Sequence, residues 1–146
     1  MAKKIKAKDN SIGIVLYREY PRGNKYLLLK HRQGHWAFCK GHKIAGETKL
    51  ETAMRELREE TGIRKVKLLR KKILLKEQYI IKEKQTNKTV EYFIGESPTD
   101  DIKIDGKEIK SFIWRGYKSA LEKITYNKSK KILGEANQII RRFKDK

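Results

Sequence analysis

Residues 41–63, GHKIAGETKLETAMRELREETGI, decide the fold of this 146-residue chain. Thr48 is a suitable N-cap and Gly62 a suitable C-terminal stop for a helix between them. The apolar positions of that helix recur at helical spacing and fall within one stripe: Leu50, Ala53, Met54 and Leu57. The segment therefore predicts an amphipathic helix that packs on a core and follows a loop beginning at Gly41.

Three glutamates, Glu56, Glu59 and Glu60, share a different face of the predicted helix. Offsets of three and four residues bring their side chains next to one another, and like charges at such spacing destabilise an isolated helix. Carboxylate oxygens are the donors that Mg²⁺ and Mn²⁺ prefer, and a bound cation would relieve the repulsion. These three residues alone also fit a solvated acidic face, so the spacing by itself leaves both interpretations open.

The complete spacing resembles the signature of the Nudix hydrolases. Every fixed position of that signature is filled: Gly41, five residues, Glu47, seven residues, then Arg55-Glu56-Leu57-Arg58-Glu59-Glu60-Thr61-Gly62-Ile63. The resemblance implies an enzyme that cleaves a diphosphate linkage with the help of a divalent metal. It also implies an α/β fold, a Nudix-type α/β/α sandwich with a central mixed sheet.

Short apolar segments on both sides of the signature predict strands that fit this layout. They lie at residues 11–17, 26–30, 36–38, 66–69, 73–81, 89–94 and 111–114. A polar turn centred near Thr86 and Asn87 is expected between the fifth and sixth of these strands, and residues 116–124 and 129–143 are predicted to be helical. We expect one domain spanning 1–146, with residues 1–9 as a flexible basic N-terminus.

Composition limits the classes of protein that the chain can belong to. Lysine and arginine number 37 against 18 acidic residues, giving a net charge of +19. This excess either attracts polyanions such as nucleotides or RNA, or reflects a lysine-rich composition. The single cysteine, Cys39, excludes an internal disulfide and suits a reducing compartment, so a cytoplasmic location is expected. No secretory signal and no membrane-spanning run is predicted.

Residues around the signature are similar to those of the diadenosine tetraphosphate hydrolase subfamily. The similar segments are His35 with Trp36-Ala37-Phe38-Cys39-Lys40-Gly41-His42, Leu50-Glu51-Thr52-Ala53, and Lys88-Thr89-Val90-x-Tyr92. Cys39 stands where proline is usual, and Lys43-Ile44-Ala45-Gly46 replaces a stretch that usually carries glutamate and proline. The resemblance implies conversion of diadenosine tetraphosphate to ATP and AMP. A pyrophosphohydrolase acting on triphosphorylated or nucleotide-capped RNA 5′ ends is the alternative, and a non-catalytic nucleotide- or RNA-binding module is a third.

The resemblance also implies catalytic roles. Mg²⁺ or Mn²⁺ would be held by Glu56, Glu59, Glu60 and the backbone carbonyl of Lys40, and water would attack phosphorus. Either Glu59 or Glu108, which precedes the last predicted strand, would accept the proton. Two further residues would support the site: Arg55 by orienting the glutamates and Glu47 by fixing the loop.

The expected substrate contacts lie on both sides of the helix in sequence. Lys40, His42 and Lys43 are the candidates for contact with the phosphate chain of a dinucleoside polyphosphate. Tyr79 and Tyr92 are the candidates for stacking on an adenine ring, because aromatic side chains offer flat faces to bases. The sequence makes no prediction about the oligomeric state.

Overall fold

Strand β1 (Ala7–Tyr20) is the longest strand of the sheet and contacts three others. The computed structural model describes residues 7–144. Along one edge β1 runs parallel to β7 (Thr86–Glu96), and along the other it pairs antiparallel first with β4 (Cys39–His42) and then with β2 (Gly23–His31). Residues 1–6 of the expected flexible N-terminus lie outside the described residues. Residues 7–9 of that segment correct the expectation, because they already belong to β1.

The remaining strands extend the sheet on both sides of β1. Strands β3 (Trp36–Ala37) and β8 (Ile109–Gly116) pair with β2, whereas β5 (Lys67–Leu68) and β6 (Leu75–Ile81) pair with β7. The β1–β7 ladder is parallel and the other ladders are antiparallel. The eight strands therefore form the mixed sheet that the sequence predicts.

Helices cover both faces of this sheet. Helix α1 (Lys49–Thr61) packs on one face, where its Ala53 and Leu57 join a core with Ile12, Ile14 and Phe93. Helices α2 (Tyr117–Lys123) and α3 (Asn127–Lys144) pack on the other. Their second core contains Ala120, Ile132, Leu133, Ala136 and Ile140 against alternate residues of the same strands. Two cores separated by one sheet confirm the α/β/α sandwich.

Local signals at the ends of α1 behave as the sequence predicts. Thr48 Oγ1 accepts the backbone N–H of Glu51, and the Glu51 carboxylate accepts the backbone N–H of Thr48, which together form a capping box. Gly62 ends the helix at φ = +79°, a conformation that suits glycine. Within residues 7–144, no helix is both long and apolar enough to cross a membrane.

The hairpin between β6 and β7 differs from the expectation. A 3₁₀ turn at Lys82–Lys84 connects the two strands, and Thr86 and Asn87, expected at the centre of the turn, already belong to β7. They pair with Ile81 and Ile80 on one side. On the other side, the start of β1 extends the ladder through the pairs Ala7 with Thr86 and Lys8 with Asn87. Parallel pairing with a distant segment therefore overrides the polar local sequence.

Candidate active site

Arg55 links the loop before α1 to the acidic side of the helix. Its guanidinium donates to both carboxylate oxygens of Glu47, at 2.7 and 3.1 Å. It also donates to Glu56 Oε1 and to the backbone carbonyl of His42, each at 2.9 Å. The bidentate hydrogen bonds from Arg55 hold the pKa of Glu47 at about 2. Arg55 therefore fixes the loop and the glutamates relative to one another.

Glu56, Glu60 and Glu108 converge beside this network. One carboxylate oxygen from each of the three lies within 4.8 Å of the other two. Glu56 and Glu60 are 8% and 2% exposed. Glu108 is exposed and comes from the loop just before β8. Three hard oxygen donors at this separation fit a divalent cation such as Mg²⁺, which uses few carboxylates and leaves positions for substrate phosphates.

The loop that presents Glu108 is shaped by Asp105. The Oδ1 atom of Asp105 accepts the backbone N–H groups of Lys107, Glu108 and Ile109 at 3.0 to 3.1 Å. The backbone carbonyl of Glu108 in turn accepts the N–H of Arg32 at 2.8 Å. These bonds hold the backbone of Glu108 next to the end of β2. The third carboxylate therefore comes from a hydrogen-bonded loop and not from α1.

Burial of Glu56 and Glu60 makes it unfavourable for both carboxylates to be ionised. Burial, with a further contribution from Glu56 and Glu108, raises the pKa of Glu60 to about 8. Burial also raises the pKa of Glu56, although Arg55 opposes that effect. Closely spaced carboxylates with depleted solvation favour a bound proton or a bound cation. Strongly shifted acids in a cleft are typical of functional sites.

Gly41 leaves the space that Glu56 occupies. A Cβ atom placed on Gly41 would overlap the carboxylate of Glu56, so only glycine fits at this position without displacing the side chain. Gly41 lies in β4, which pairs with β1 through Ile12 and Gly41. The neighbouring backbone N–H of Lys40 donates to Glu60 Oε1 at 3.3 Å. Lys40 and Gly41, at the start of the signature, therefore lie against Glu60 and Glu56 near its end.

Glu59 has different surroundings from the other two helical glutamates. Its side chain is 52% exposed and its Oε2 lies 3.3 Å from Arg55 Nη1. Glu59 lines the same groove as the cluster. However, among residues 7–144 the carboxylates that approach within 4.8 Å of one another are those of Glu56, Glu60 and Glu108. The two candidates for the proton acceptor therefore differ in their distance from the buried pair.

A groove of about 1280 Å³ opens over the acid cluster. Acidic residues from α1 line it together with cations from β4, β7, α3 and the turn after β2: Lys40, Lys88, Lys128 and Arg32. Burial lowers the pKa of Lys40, and the nearby carboxylate of Glu77 opposes that effect. Cations facing an acid cluster suit an anionic ligand that is bound together with a metal ion.

A second polar network lies at the Lys88 end of the groove. Lys88, 6% exposed, donates from Nζ to Asp9 Oδ1 at 3.0 Å and to Ser11 Oγ at 2.6 Å. His42 Nε2 lies 2.7 Å from the same oxygen of Asp9. Burial alone would raise the pKa of Asp9, but its contacts with Lys88 and His42 lower it below its usual value. His42 and Lys40 both line the groove, and their contact with phosphate stays a prediction.

The remaining expected substrate contacts have three different outcomes. Tyr79 is half-buried and lines the groove. Tyr92 is fully buried, packs edge-on against Phe38 and donates its hydroxyl to Glu77 Oε1 at 3.2 Å. A base cannot reach the face of Tyr92, so the expectation of stacking there is corrected. Lys43 is exposed. It follows the groove residue His42 in sequence but does not itself line the groove.

Several groove residues are missing from the sequence-based set. Asp9 falls in the segment expected to be flexible, and Ser11 and Glu77 occupy ordinary strand positions, so nothing local marks them. Lys88 belongs to a segment similar to the tetraphosphate hydrolases, which is a signal that could have selected it. His31 and His35 stack with ring centroids 4.7 Å apart and also line the groove. Pairing between distant strands, rather than spacing along the chain, brings these residues together.

Known proteins are similar to this chain in sequence and in architecture. The NUDIX domain family matches residues 7–135. The asymmetrical bis(5′-nucleosyl)-tetraphosphatase of Rattus norvegicus is 32% identical over 138 residues, covering 88% of this chain and 92% of that protein. The Sus scrofa protein of the same name is 33% identical over 120 residues, covering 80% of each. The crystal structure of a C. elegans Ap4A hydrolase binary complex matches with a TM-score of 0.82 at 24% identity, covering 91% of this chain and 98% of that one. The chain therefore belongs to the Nudix hydrolase family and is an enzyme that acts on phosphoric anhydrides.

Proposed function

We propose that the enzyme hydrolyses diadenosine tetraphosphate to ATP and AMP by attack of water on phosphorus. The observation that carries this proposal is the convergence of Glu56, Glu60 and Glu108 at a groove large enough for an extended polyphosphate. Relatives at 32% and 33% identity that are named asymmetrical tetraphosphatases support the choice of substrate. The free, buried thiol of Cys39 suits a reducing environment, and we place the activity in the cytoplasm.

Mg²⁺ or Mn²⁺ is the cofactor that the donor set fits. Glu56 and Glu60 would hold it, the backbone carbonyl of Lys40 is a further candidate ligand, and Glu108 next to them would remain free to accept a proton. A divalent cation bound there supplies Lewis acidity and neutralises charge on phosphate oxygens. Arg55 contributes by restraining Glu56, so that the carboxylates do not have to reorganise when the substrate binds.

Glu108 is the better candidate for the proton acceptor. Its carboxylate is exposed to the groove and lies within 4.8 Å of the buried pair, so a water molecule between them can reach it. Glu59 instead contacts Arg55 and is not one of the three carboxylates that approach within 4.8 Å of one another. We expect Glu108→Gln to lower kcat by at least about a hundredfold with KM nearly unchanged, because it removes the proton acceptor. A fall of that size in Glu59→Gln, with kcat of Glu108→Gln unaffected, would assign the role to Glu59 instead.

The cations that line the groove would hold the phosphate chain. Lys40 and Lys88 approach from β4 and β7, and His42 completes this side of the groove. Lys43 remains a candidate contact from the exposed loop. On the far side, the half-buried ring of Tyr79 and the 56% exposed ring of Tyr126 offer aromatic faces to a base.

An RNA 5′-end pyrophosphohydrolase is the second candidate function. The net charge of +19 favours it, because a polyanion longer than a dinucleotide gains more from long-range attraction. Substrate competition separates the two functions. With equal concentrations of diadenosine tetraphosphate and a triphosphorylated RNA, we expect the dinucleotide to be consumed first, with ATP and AMP as products. Preferential release of diphosphate from the RNA would reverse the assignment, and turnover of neither would point to a different phosphoric anhydride as the substrate.

A further inference from the structure

A line of polar side chains runs along α3, starting at the catalytic groove. Its members are spaced by three and four residues and therefore lie on one side of the helix: Lys128, Lys131, Glu135, Gln138 and Arg142. Lys128 lines the groove and donates to the backbone carbonyl of Gln78 at 2.6 Å. From Lys128 to Arg142 the helix rises about 21 Å. The line thus runs from the groove to the C-terminal end of α3.

Cations from the loop between β5 and β6 lie next to the far end of this line. The guanidinium carbon of Arg70 lies 5.0 Å from the ring centroid of Phe143. The two following residues, Lys71 and Lys72, are exposed. Leu69 and Leu74 flank the loop and pack on the same core as α3, so the loop and the helix end are held together. We refer to Arg70, Lys71, Lys72, Lys128, Lys131 and Arg142 as the basic face.

The charge of the basic face is largely uncompensated. Among residues 7–144, none of its six cations lies within ion-pair distance of a carboxylate. Glu135 is the one acidic residue in the α3 line. A shallow depression of about 550 Å³ borders the line and adds Lys130 and Arg141 to the positive surface. Such a surface attracts a polyanion and releases its counterions.

We propose that the basic face binds the sugar-phosphate backbone of single-stranded RNA, with one end of the strand directed to the catalytic groove. Continuity with a nucleotide site favours a nucleic acid over an acidic protein. Exposed aromatic rings at the two ends of α3, Tyr126 at 56% and Phe143 at 37%, offer stacking surfaces for bases. An anionic membrane is a poorer fit, because the exposed large apolar side chains at α3, Tyr126 and Phe143, lie at its two ends rather than in one apolar patch.

The proposal depends on the proposed function only for the position of the nucleotide site. Binding to the basic face does not require the RNA to be cleaved, so it can be measured with a 5′-hydroxyl strand that offers no phosphoanhydride. Hydrolysis of diadenosine tetraphosphate by the same proteins is measured separately. Failure of hydrolysis would contradict the proposed function, whereas failure of strand binding would contradict this inference.

Matched charge variants test the inference in the full-length protein. One variant carries Lys71→Gln, Lys72→Gln and Lys131→Gln, and the control carries Lys103→Gln, Lys110→Gln and Lys118→Gln. Each removes three exposed lysines, so both have the same net charge. Fluorescence anisotropy with a labelled 5′-hydroxyl RNA gives Kd at several salt concentrations. We expect the first variant to bind at least about tenfold more weakly, with a slope of log K against log salt smaller by about 2, and the control to retain wild-type affinity within about twofold.

Three results would overturn the proposal. Equal weakening in both variants would show that the total charge, rather than the basic face, governs binding. Unchanged affinity in the Lys71, Lys72 and Lys131 variant would show that RNA binds elsewhere. Tight binding to phosphatidylserine vesicles without binding to RNA would identify a membrane-facing surface instead.

Discussion

Glu60 is the most deeply buried of the three clustered glutamates. Its carboxylate is 2% exposed and lies with Glu56 and Glu108, while Arg55 contacts Glu47, Glu56 and Glu59. The pKa of Glu60 is therefore raised from 4.5 to about 8 in the metal-free protein. A raised carboxyl pKa stabilises the folded state below the unfolded value. That contribution is lost as the pH rises through the folded value.

Metal-free protein should accordingly become less stable between about pH 5 and pH 8, by a few kcal/mol, as Glu60 is forced to ionise. Urea unfolding at a series of pH values measures this loss. Glu60→Gln should flatten the pH dependence, and added Mg²⁺ should restore stability to the wild type at the upper end of the range. Parallel pH profiles for wild type and variant would show that Glu60 does not titrate in this way.

Gly41 tests the close contact between the loop and the helix. In Gly41→Ala the added methyl group would displace the Glu56 carboxylate, and we expect kcat/KM to fall by about a hundredfold or more because the ligand is misplaced. The fold should survive, because a side-chain end can move. Gly116→Ala is the control, since its nearest neighbour, the Asn24 carbonyl, would lie at 4.0 Å. Similar activity in both variants would mean that Glu56 need not occupy its observed position.

At the scale of elements, α1 depends on the capping box at its start. Thr48→Ala removes the side chain that accepts the Glu51 N–H, and we expect a loss of about 1 kcal/mol in the free energy of unfolding. Thr48→Ser retains the hydroxyl and should remain close to wild type. Urea denaturation of the three proteins gives the comparison. A loss as large in the serine variant as in the alanine variant would assign the effect to the methyl group rather than to the cap.

Elements with local signals could be predicted from the sequence. The ends of α1 follow from Thr48 and Gly62, and its buried stripe follows from the spacing of Ala53 and Leu57. The starts of β1 and β7 could not, because Ala7 and Thr86 belong to strands through pairing with each other. Polar segments of this kind become strands when partner strands supply the hydrogen bonds, as β6 and the start of β1 do for Thr86.

At the scale of the whole molecule, the sandwich assembles the site from several elements. Helix α1 supplies two buried glutamates, β4 supplies the glycine that makes room for one of them, and the loop before β8 supplies Glu108. The signature made the first two predictable. Glu108 was predicted from family resemblance alone. Asp9, Ser11 and Glu77 were beyond prediction, since the sheet brings them together from β1 and β6 without any local pattern.

Tyr92 shows a second limit of prediction from the sequence, because a residue expected to contact the substrate is buried in the core. Its place in a family-like strand segment suggested contact with a base, but the sheet turns its ring towards α2 and α3, where it is fully buried. Side chains alternate between the two faces of the sheet along β7, so Tyr92 and Lys88 share one face. Tyr92 is fully buried there, whereas Lys88 is 6% exposed and lines the groove. The strand position of an aromatic residue therefore does not determine whether the ring is core or ligand surface.

Hydrolysis of diadenosine tetraphosphate by wild type and Glu60→Gln, with Mg²⁺ and with a chelator, tests the central claim most directly. The reaction is run in ¹⁸O-labelled water, and the products are separated by anion exchange and weighed by mass spectrometry. We expect ATP and AMP as products, with one labelled oxygen on the phosphorus atom that water attacks. We also expect no turnover with the chelator and a rate about a thousandfold lower in Glu60→Gln. Chelator-resistant turnover, undiminished activity in Glu60→Gln, or release of two ADP molecules would contradict it.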